Sequence, residues 1–275
     1  MAKLTLAQAA AMCGGKIDEK YAQVTFLGAN NDTRVLQPGQ LFVALQGVRD
    51  GHDFVSAAME KGAAAVLCTH CDGDFPAIVV EDVRIALGKI AAGERQRIGM
   101  KVVGVTGSVG KSTTKEMIAC VLSGTYKVQK TPVNHNNDLG MPMAILAMPE
   151  DTEVAVLEMG MSGRGEIAAM TAAVRPNLAM IVNIGSSHLE YLGTRENIAR
   201  AKLEIAQGLS EGGTLLINGD EPLLAHLGQD FSEDRPLIPA GIRVLRVSLA
   251  GDENADYQAD HITSRDGGMA FDLTT

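Results

Sequence analysis

The sequence predicts an α/β protein in two parts, a small α/β domain over residues 1–82 and a larger P-loop-type domain over 83–275 built on a mostly parallel sheet. Three observations carry this expectation. Short β-branched runs alternate with amphipathic stretches, the arrangement of a parallel sheet covered on both faces. One such run, residues 102–105, feeds the turn Thr106-Gly107-Ser108-Val109-Gly110-Lys111-Ser112-Thr113-Thr114 and then a helical pattern. The length of 275 residues exceeds one typical domain, and 46% hydrophobic content supplies two cores.

The elements follow in order. Thr5-Leu6-Ala7-Gln8 has capping-box spacing and opens a helix that stops near Gly14-Gly15. A strand is expected over 24–27, then the polar turn Asn30-Asn31-Asp32-Thr33-Arg34, then Pro38-Gly39 and the apolar run 41–45. The loop Arg49-Asp50-Gly51-His52-Asp53-Phe54 precedes a helix over 55–61, and strands over 63–67 and 77–80 complete the first part. Val83, Leu87, Ile90 and Ala91 mark the helix that leads onward. Further strands are expected over 102–105, 154–157, 178–184, 214–217 and 244–247, with a helix over 194–207.

The glycine-rich turn is a phosphate cradle. It sits where a helix begins, so unpaired N–H groups and the positive end of the helix dipole face an anion, and Gly107 and Gly110 admit it closely. Lys111 would reach the terminal phosphates and Ser112 or Thr113 would meet Mg2+. Val105 stands where the common G-x-x-x-x-G-K-[ST] pattern has glycine, and no D-x-x-G or N-K-x-D element of GTPases occurs.

Composition excludes some functions. A net charge of −9, no Trp and 4% aromatics argue against a nucleic-acid partner. No apolar run spans a bilayer, and no cationic region followed by an apolar core opens the chain, so a cytoplasmic protein is expected. Cys13, Cys68, Cys71 and Cys120 fit reduced thiols; the single Cys68-Thr69-His70-Cys71 lacks the second pair that a zinc site needs.

Ligands gather at the carboxyl ends of parallel strands, and those ends carry reactive side chains: Glu158, then Asn183 with Ser186-Ser187-His188, then Asn218 and Asp220. A carboxylate and an imidazole near a phosphate cradle suit Mg2+ chemistry. The loop Asn134-His135-Asn136-Asn137-Asp138 offers neutral amides that would orient a ligand without adding charge.

These residues carry a resemblance. The phosphate loop, Asn136-Asn137, Leu157-Glu158-Met159-Gly160 with Gly165-Glu166-Ile167, Ser187-His188-Leu189-Glu190 and Ala201-Lys202-Leu203-Glu204-Ile205 follow the order and approximate spacing of the Mur ligases. The Glu-Met-Gly and Gly-Glu-Ile pair is similar to the member that adds D-alanyl-D-alanine to UDP-N-acetylmuramoyl-tripeptide. Asp32-Thr33-Arg34, Pro38-Gly39, Phe42-Val43-Ala44-Leu45 and Asp50-Gly51-His52 resemble that family's N-terminal UDP-sugar-binding domain.

The resemblance implies an ATP-dependent amide ligase acting through an acyl phosphate, with two Mg2+ ions. It implies Thr106, Gly107, Ser108, Gly110, Lys111, Ser112 and Thr113 at the ATP phosphates and Asn218 at the adenine. Ser112, Glu158 and His188 would be metal ligands, and Lys111, His188, Asn137 and a carbamylated Lys202 would belong to the catalytic set. Asp32, Thr33, Arg34, Asp50, Gly51 and His52 would hold the UDP-sugar. Val109 and Ser112 depart from the family's commoner residues. The motif order also implies a further strand and helix and a C-terminal amine-binding domain beyond Thr275, so an incomplete central domain, weak ATP binding or none, and no turnover at a useful rate are expected of this chain. A nucleotide- or UDP-sugar-binding module without turnover, or a sibling ligase, is the alternative. A monomer with small-molecule substrates is expected.

Overall fold

Thr5 caps the first helix as its spacing to Gln8 predicts. Its hydroxyl accepts the Gln8 N–H at 3.1 Å and the Gln8 side chain accepts the Thr5 N–H at 3.0 Å, pairing two donors that a helix start leaves open. Strand β1 (Leu4–Thr5) thus passes directly into α1 (Leu6–Cys13), which stops at Gly14 with φ 73°. The computed structural model describes residues 3–132, 135–225, 238–252, 254–265 and 267–275, so Asn134 of the amide-rich loop lies outside the described residues. Two compact units divide the chain: Met1–Met100 with Tyr126–Ala155, and Lys101–Thr125 with Val156–Thr275.

In the first unit β2 (Thr25–Phe26) pairs antiparallel with β1. It is shorter than the strand expected over 24–27, because Val24 closes a turn onto Tyr21 O and the Leu27 N–H leaves for Gly39 O at 2.8 Å. β3 (Ala29–Asn30), β4 (Leu41–Val43), β5 (Ala65–Cys68) and β6 (Ala77–Val79) form a parallel sheet in sequence order, with α2 (Val55–Glu60) between β4 and β5. Side chains alternate between its faces with the strand period of two. Leu41, Val43, Ala65 and Leu67 join a core with α1 and the later helix residues Val83, Leu87 and Ile90, whereas Phe42, Ala44, Val66 and Cys68 pack with Val55 and Ala58 of α2. That helix, α3 (Val83–Ile98), is capped by Asp82, which accepts the Ile85 N–H at 2.9 Å, and ends at Gly99 with φ 76°.

The chain next enters the second unit through β7 (Lys101–Thr106) and α4 (Lys111–Leu122), then returns to the first through β8 (Val128–Lys130) and α5 (Gly140–Leu146). Leu146 belongs to the same core as α1 and α3. The remaining elements are β9 (Val154–Glu158), α6 (Glu166–Val174), β10 (Leu178–Ile181), α7 (Leu189–Leu192), α8 (Arg195–Leu203), β11 (Thr214–Asn218), α9 (Pro222–Ala225), β12 (Arg243–Ser248), β13 (Tyr257–Arg265) and β14 (Gly268–Thr274).

In the second unit the strands run in the order β14-β13-β12-β11-β10-β7-β9. The pairings of β10 with β7 and β11, of β11 with β12 and of β12 with β13 are parallel, and the closing β13–β14 hairpin is antiparallel. Two elements are shorter than their apolar patterns. The strand expected over 178–184 stops at Ile181, because the Val182 N–H donates to Thr106 O at 2.9 Å and the next residue turns toward the phosphate loop. The helix expected over 194–207 is α-helical only to Leu203 and tightens to a 3-10 turn over Glu204–Gly208. Among the described residues no helix is long and apolar enough to cross a membrane.

Candidate functional site

β7 delivers Thr106 fully buried, and its hydroxyl donates to Met159 O at 2.9 Å, fastening the loop to the end of β9. Gly110 precedes α4 at φ 81°, and no side chain caps the helix. Its first N–H groups therefore remain for an anion. A side chain at Gly107 would crowd the turn, since a Cβ there would lie 3.0 Å from Val182 Cβ and 3.3 Å from Asn183 N.

Asn183, one residue past the Val182 turn, braces the cradle. Its Oδ1 accepts the N–H groups of Ser108 and Val109 at 3.0 Å each, and its Nδ2 donates to Val109 O at 3.0 Å. Two successive loop donors thus converge on one oxygen, the geometry of an anion nest. Ser108 Oγ accepts the Gly185 N–H at 2.8 Å, and Lys111 Nζ lies over the loop carbonyls of Gly107 at 2.9 Å and Ser108 at 3.5 Å. Thr113 is exposed on the first turn of α4.

Ser112 Oγ donates to Glu158 Oε2 at 2.8 Å. Glu158 is 6% exposed, and the same oxygen lies 3.7 Å from the ammonium of Lys115, itself 2% exposed. Lys115 lies i+4 from Lys111, on the same helix face, but that spacing alone does not set it apart from the helix's other polar residues. Hydroxyl and carboxylate oxygens are the hard donors that Mg2+ takes, so the Ser112–Glu158 pair fits the implied cation. Among the described residues no three His, Cys, Asp or Glu side chains gather to hold a metal. His188 is exposed, with φ 64°, at the start of α7, and the neighbouring Ser187 Oγ is buried without a hydrogen-bond partner.

Lys202, on α8, is 2% exposed. Burial, with the like charge of Lys111, pulls its amine down to about 8. Glu204 caps α6, accepting the N–H groups of Gly165 at 2.8 Å and Ala168 at 3.2 Å. Asn218 ends β11 half-buried and accepts the Asp220 N–H at 3.0 Å. Asn137 belongs to the first unit, where its Oδ1 accepts the N–H groups of Leu139 at 3.2 Å and Gly140 at 2.7 Å as α5 begins.

In the first unit, consecutive parallel strands end in the polar loops singled out from sequence. After β3, Arg34 pairs with Asp32 through two nitrogens, and this contact pulls the Asp32 carboxyl down to about 2. Lys61 donates to Thr33 O at 2.7 Å. After β4, Asp50 Oδ1 accepts the His52 N–H at 3.0 Å. Gly51 lies so close to the chain that a Cβ would fall 2.5 Å from Leu45 N. After β5, the Thr69 N–H donates to His52 Nε2 at 3.1 Å, and the rings of His52 and His70 stack with centroids 4.1 Å apart. A cavity of about 660 Å³ in this unit is lined in part by Cys13, Lys16, Thr69, Glu81, Asp82 and Lys89. The thiols beside Thr69 are free: Cys68 is buried, which pushes it up to about 12, and Cys71 donates to Gly73 O.

A strand that feeds a glycine-rich turn into an uncapped helix start, at the carboxyl edge of a parallel sheet, defines a P-loop-type nucleotide-binding protein. The Mur ligase middle domain model matches residues 105–275, and the chain belongs to the Mur ligase family. It is 49% identical over 230 residues to the UDP-N-acetylmuramoyl-tripeptide–D-alanyl-D-alanine ligase of Bacillus subtilis, covering 82% of this chain and 50% of that one. The crystal structure of MurF from Acinetobacter baumannii superposes with a TM-score of 0.87 at 30% identity, over 100% of this chain and 59% of that one. MurF from Thermotoga maritima, solved in complex with ADP, gives 0.75 at 32% identity over 90% of this chain and 55% of that one. The chain spans about half the length of the curated relatives it matches.

Proposed function

We propose that this chain forms the ATP-binding and UDP-sugar-binding parts of a cytoplasmic ligase that joins D-alanyl-D-alanine to UDP-N-acetylmuramoyl-tripeptide in peptidoglycan precursor synthesis. The observation that carries the reading is the cradle itself, with Lys111 over the loop and the Ser112–Glu158 pair beside it. Relatives named for that reaction support it. In the reaction, the terminal carboxylate of the tripeptide attacks the γ-phosphorus of ATP, giving an acyl phosphate and ADP. The amine of D-alanyl-D-alanine then attacks the acyl carbon, and inorganic phosphate leaves as the amide forms.

The residues divide that work. Thr106, Gly107, Ser108, Gly110 and Thr113 shape and donate to the phosphate cradle, Lys111 follows the terminal phosphates, and Asn218 meets the adenine. Ser112, Glu158 and His188 would hold Mg2+, which supplies charge neutralisation where carboxylate and phosphate repel. Lys202 fits a carbamate, because a buried amine held near neutrality is nucleophilic toward CO2 and loses a proton as the N–C bond forms. Asn137 orients the reactants, and Asp32, Thr33, Arg34, Asp50, Gly51 and His52, within residues 1–82, make up the UDP-sugar site.

Calorimetry on the 275-residue chain tests this. Saturable binding of Mg-ATP and of UDP-N-acetylmuramoyl-tripeptide, the latter tighter than UDP-N-acetylmuramoyl-dipeptide, is the expected result. Binding of neither ligand overturns the proposal.

A further inference from the structure

We infer that His70 is the platform on which the base of the sugar nucleotide stacks, with His52 as the fixed ring behind it; this rests on the UDP-sugar reading above. The Thr69 backbone N–H donates to His52 Nε2 at 3.1 Å, so Nε2 presents its lone pair and the proton of the neutral ring sits on Nδ1. That N–H points at Asp50 Oδ1, 2.6 Å away. Both nitrogens are therefore engaged within the protein, and the side chain is only 9% exposed. His52 ties the loop after β4 to the loop after β5, and it has no ring nitrogen left for a ligand.

His70 covers the face of that ring. The two imidazoles are 4.1 Å apart between centroids and within 10° of parallel. Thr69 Oγ1, 3.1 Å from His70 Nδ1, helps to set the outer ring's orientation, and Asp72 lies 3.8 Å from Nε2. A ring covered on one side yet 52% exposed offers its other face to solvent. The site thus presents a flat, braced π surface at the carboxyl ends of the parallel strands, where this architecture collects ligands. Every base has a π-face, and stacking on a held ring costs little ordering because the ring is already fixed. The segment Cys68-Thr69-His70-Cys71 thereby gains a role that needs no metal: Thr69 fixes the inner imidazole and His70 supplies the outer one.

The test uses the 275-residue chain titrated with UDP, read by calorimetry and by the uracil H5 and H6 proton resonances. The wild type is expected to bind UDP and shift both resonances upfield through the ring current. His70→Ala should weaken UDP binding by roughly fivefold or more and abolish the upfield shift. His70→Phe should keep the affinity and shift the resonances further, with the Nδ1–H tautomer of His52 in nitrogen-15 spectra and the ATP affinity unchanged in both variants. UDP bound equally well by wild type and His70→Ala overturns the platform and leaves the UDP-sugar reading standing. So does a His70→Phe variant that keeps the His52 tautomer but not the affinity. A wild-type chain that binds no UDP overturns both.

Discussion

Lys202 is a lysine held where an ammonium is costly, and that has a pH signature. Its folded amine titrates at about 8 because it is buried and near Lys111, whereas an unfolded lysine titrates at about 10.4. Between those values the unfolded chain holds a proton that the native chain lacks, so the contribution of this residue to stability rises with pH, by up to roughly 1.4 kcal/mol per pH unit. In CO2-free buffer, urea midpoints at pH 7.5 and pH 10 should show that rise in the wild type and lose it in Lys202→Met. Parallel pH profiles would contradict the burial of a free amine. Lys111 makes the opposite case. Its ammonium lies over loop carbonyls and serves no core, so Lys111→Ala should lower Mg-ATP affinity at least about tenfold, ~1.4 kcal/mol, while the unfolding free energy from urea melts stays within about 0.5 kcal/mol of wild type. Unchanged calorimetric affinity would count against the cradle.

At the scale of elements, the cradle depends on β10 lying beside β7, because Asn183 can reach Ser108 and Val109 only from there. Asn183→Ala removes the three side-chain hydrogen bonds of the brace and leaves the Ser108 N–H to Asn183 O bond, each lost hydrogen bond being worth about 1 kcal/mol. The variant should bind Mg-ATP on the order of tenfold more weakly; calorimetry beside a urea melt separates that loss from unfolding. Gly51→Ala forces a Cβ against the backbone of Leu45, a clash of about 1–3 kcal/mol, and should lower both the urea midpoint and UDP affinity. The phosphate loop, the capping box at Thr5 and the strand ends carrying Glu158 and Asn218 were legible in sequence because each is written in adjacent residues. Asn183 was visible as a strand-end residue, but its brace joins segments 74 and 75 residues apart. Lys115 looked like one more polar residue of a helix, since its burial against Glu158 depends on β9. Strands β1, β2 and β3 have two residues each, too few to show a period. β13 and β14 were missed although Met269, Phe271 and Leu273 alternate along β14: those side chains are exposed, so the pattern does not mark a buried face.

For the molecule as a whole, the charge of −9 and the absence of Trp leave neither a broad positive surface nor indole rings on which a polymeric nucleic acid could stack. The chain should not retard a single-stranded oligonucleotide at 0.15 M salt under conditions where it binds ATP, and a shift resistant to that salt would contradict the assignment of its positive field to one loop. The interrupted path of the first compact unit has a consequence of another kind, for the order in which the protein can be made. Residues 101–125 are spun out as part of the second unit before residues 126–155 rejoin the first, and Leu146 is one of the buried members of the core that α1 and α3 share. On the ribosome, the first unit therefore waits with an unfinished core until residues 101–125, which carry β7, the phosphate loop and α4, have been translated and passed over. Force measurements on arrested nascent chains should show the compaction of this unit only after α5 has cleared the exit tunnel, later than α3 alone would require. The apolar surface left open during that wait is where a chaperone would find this chain.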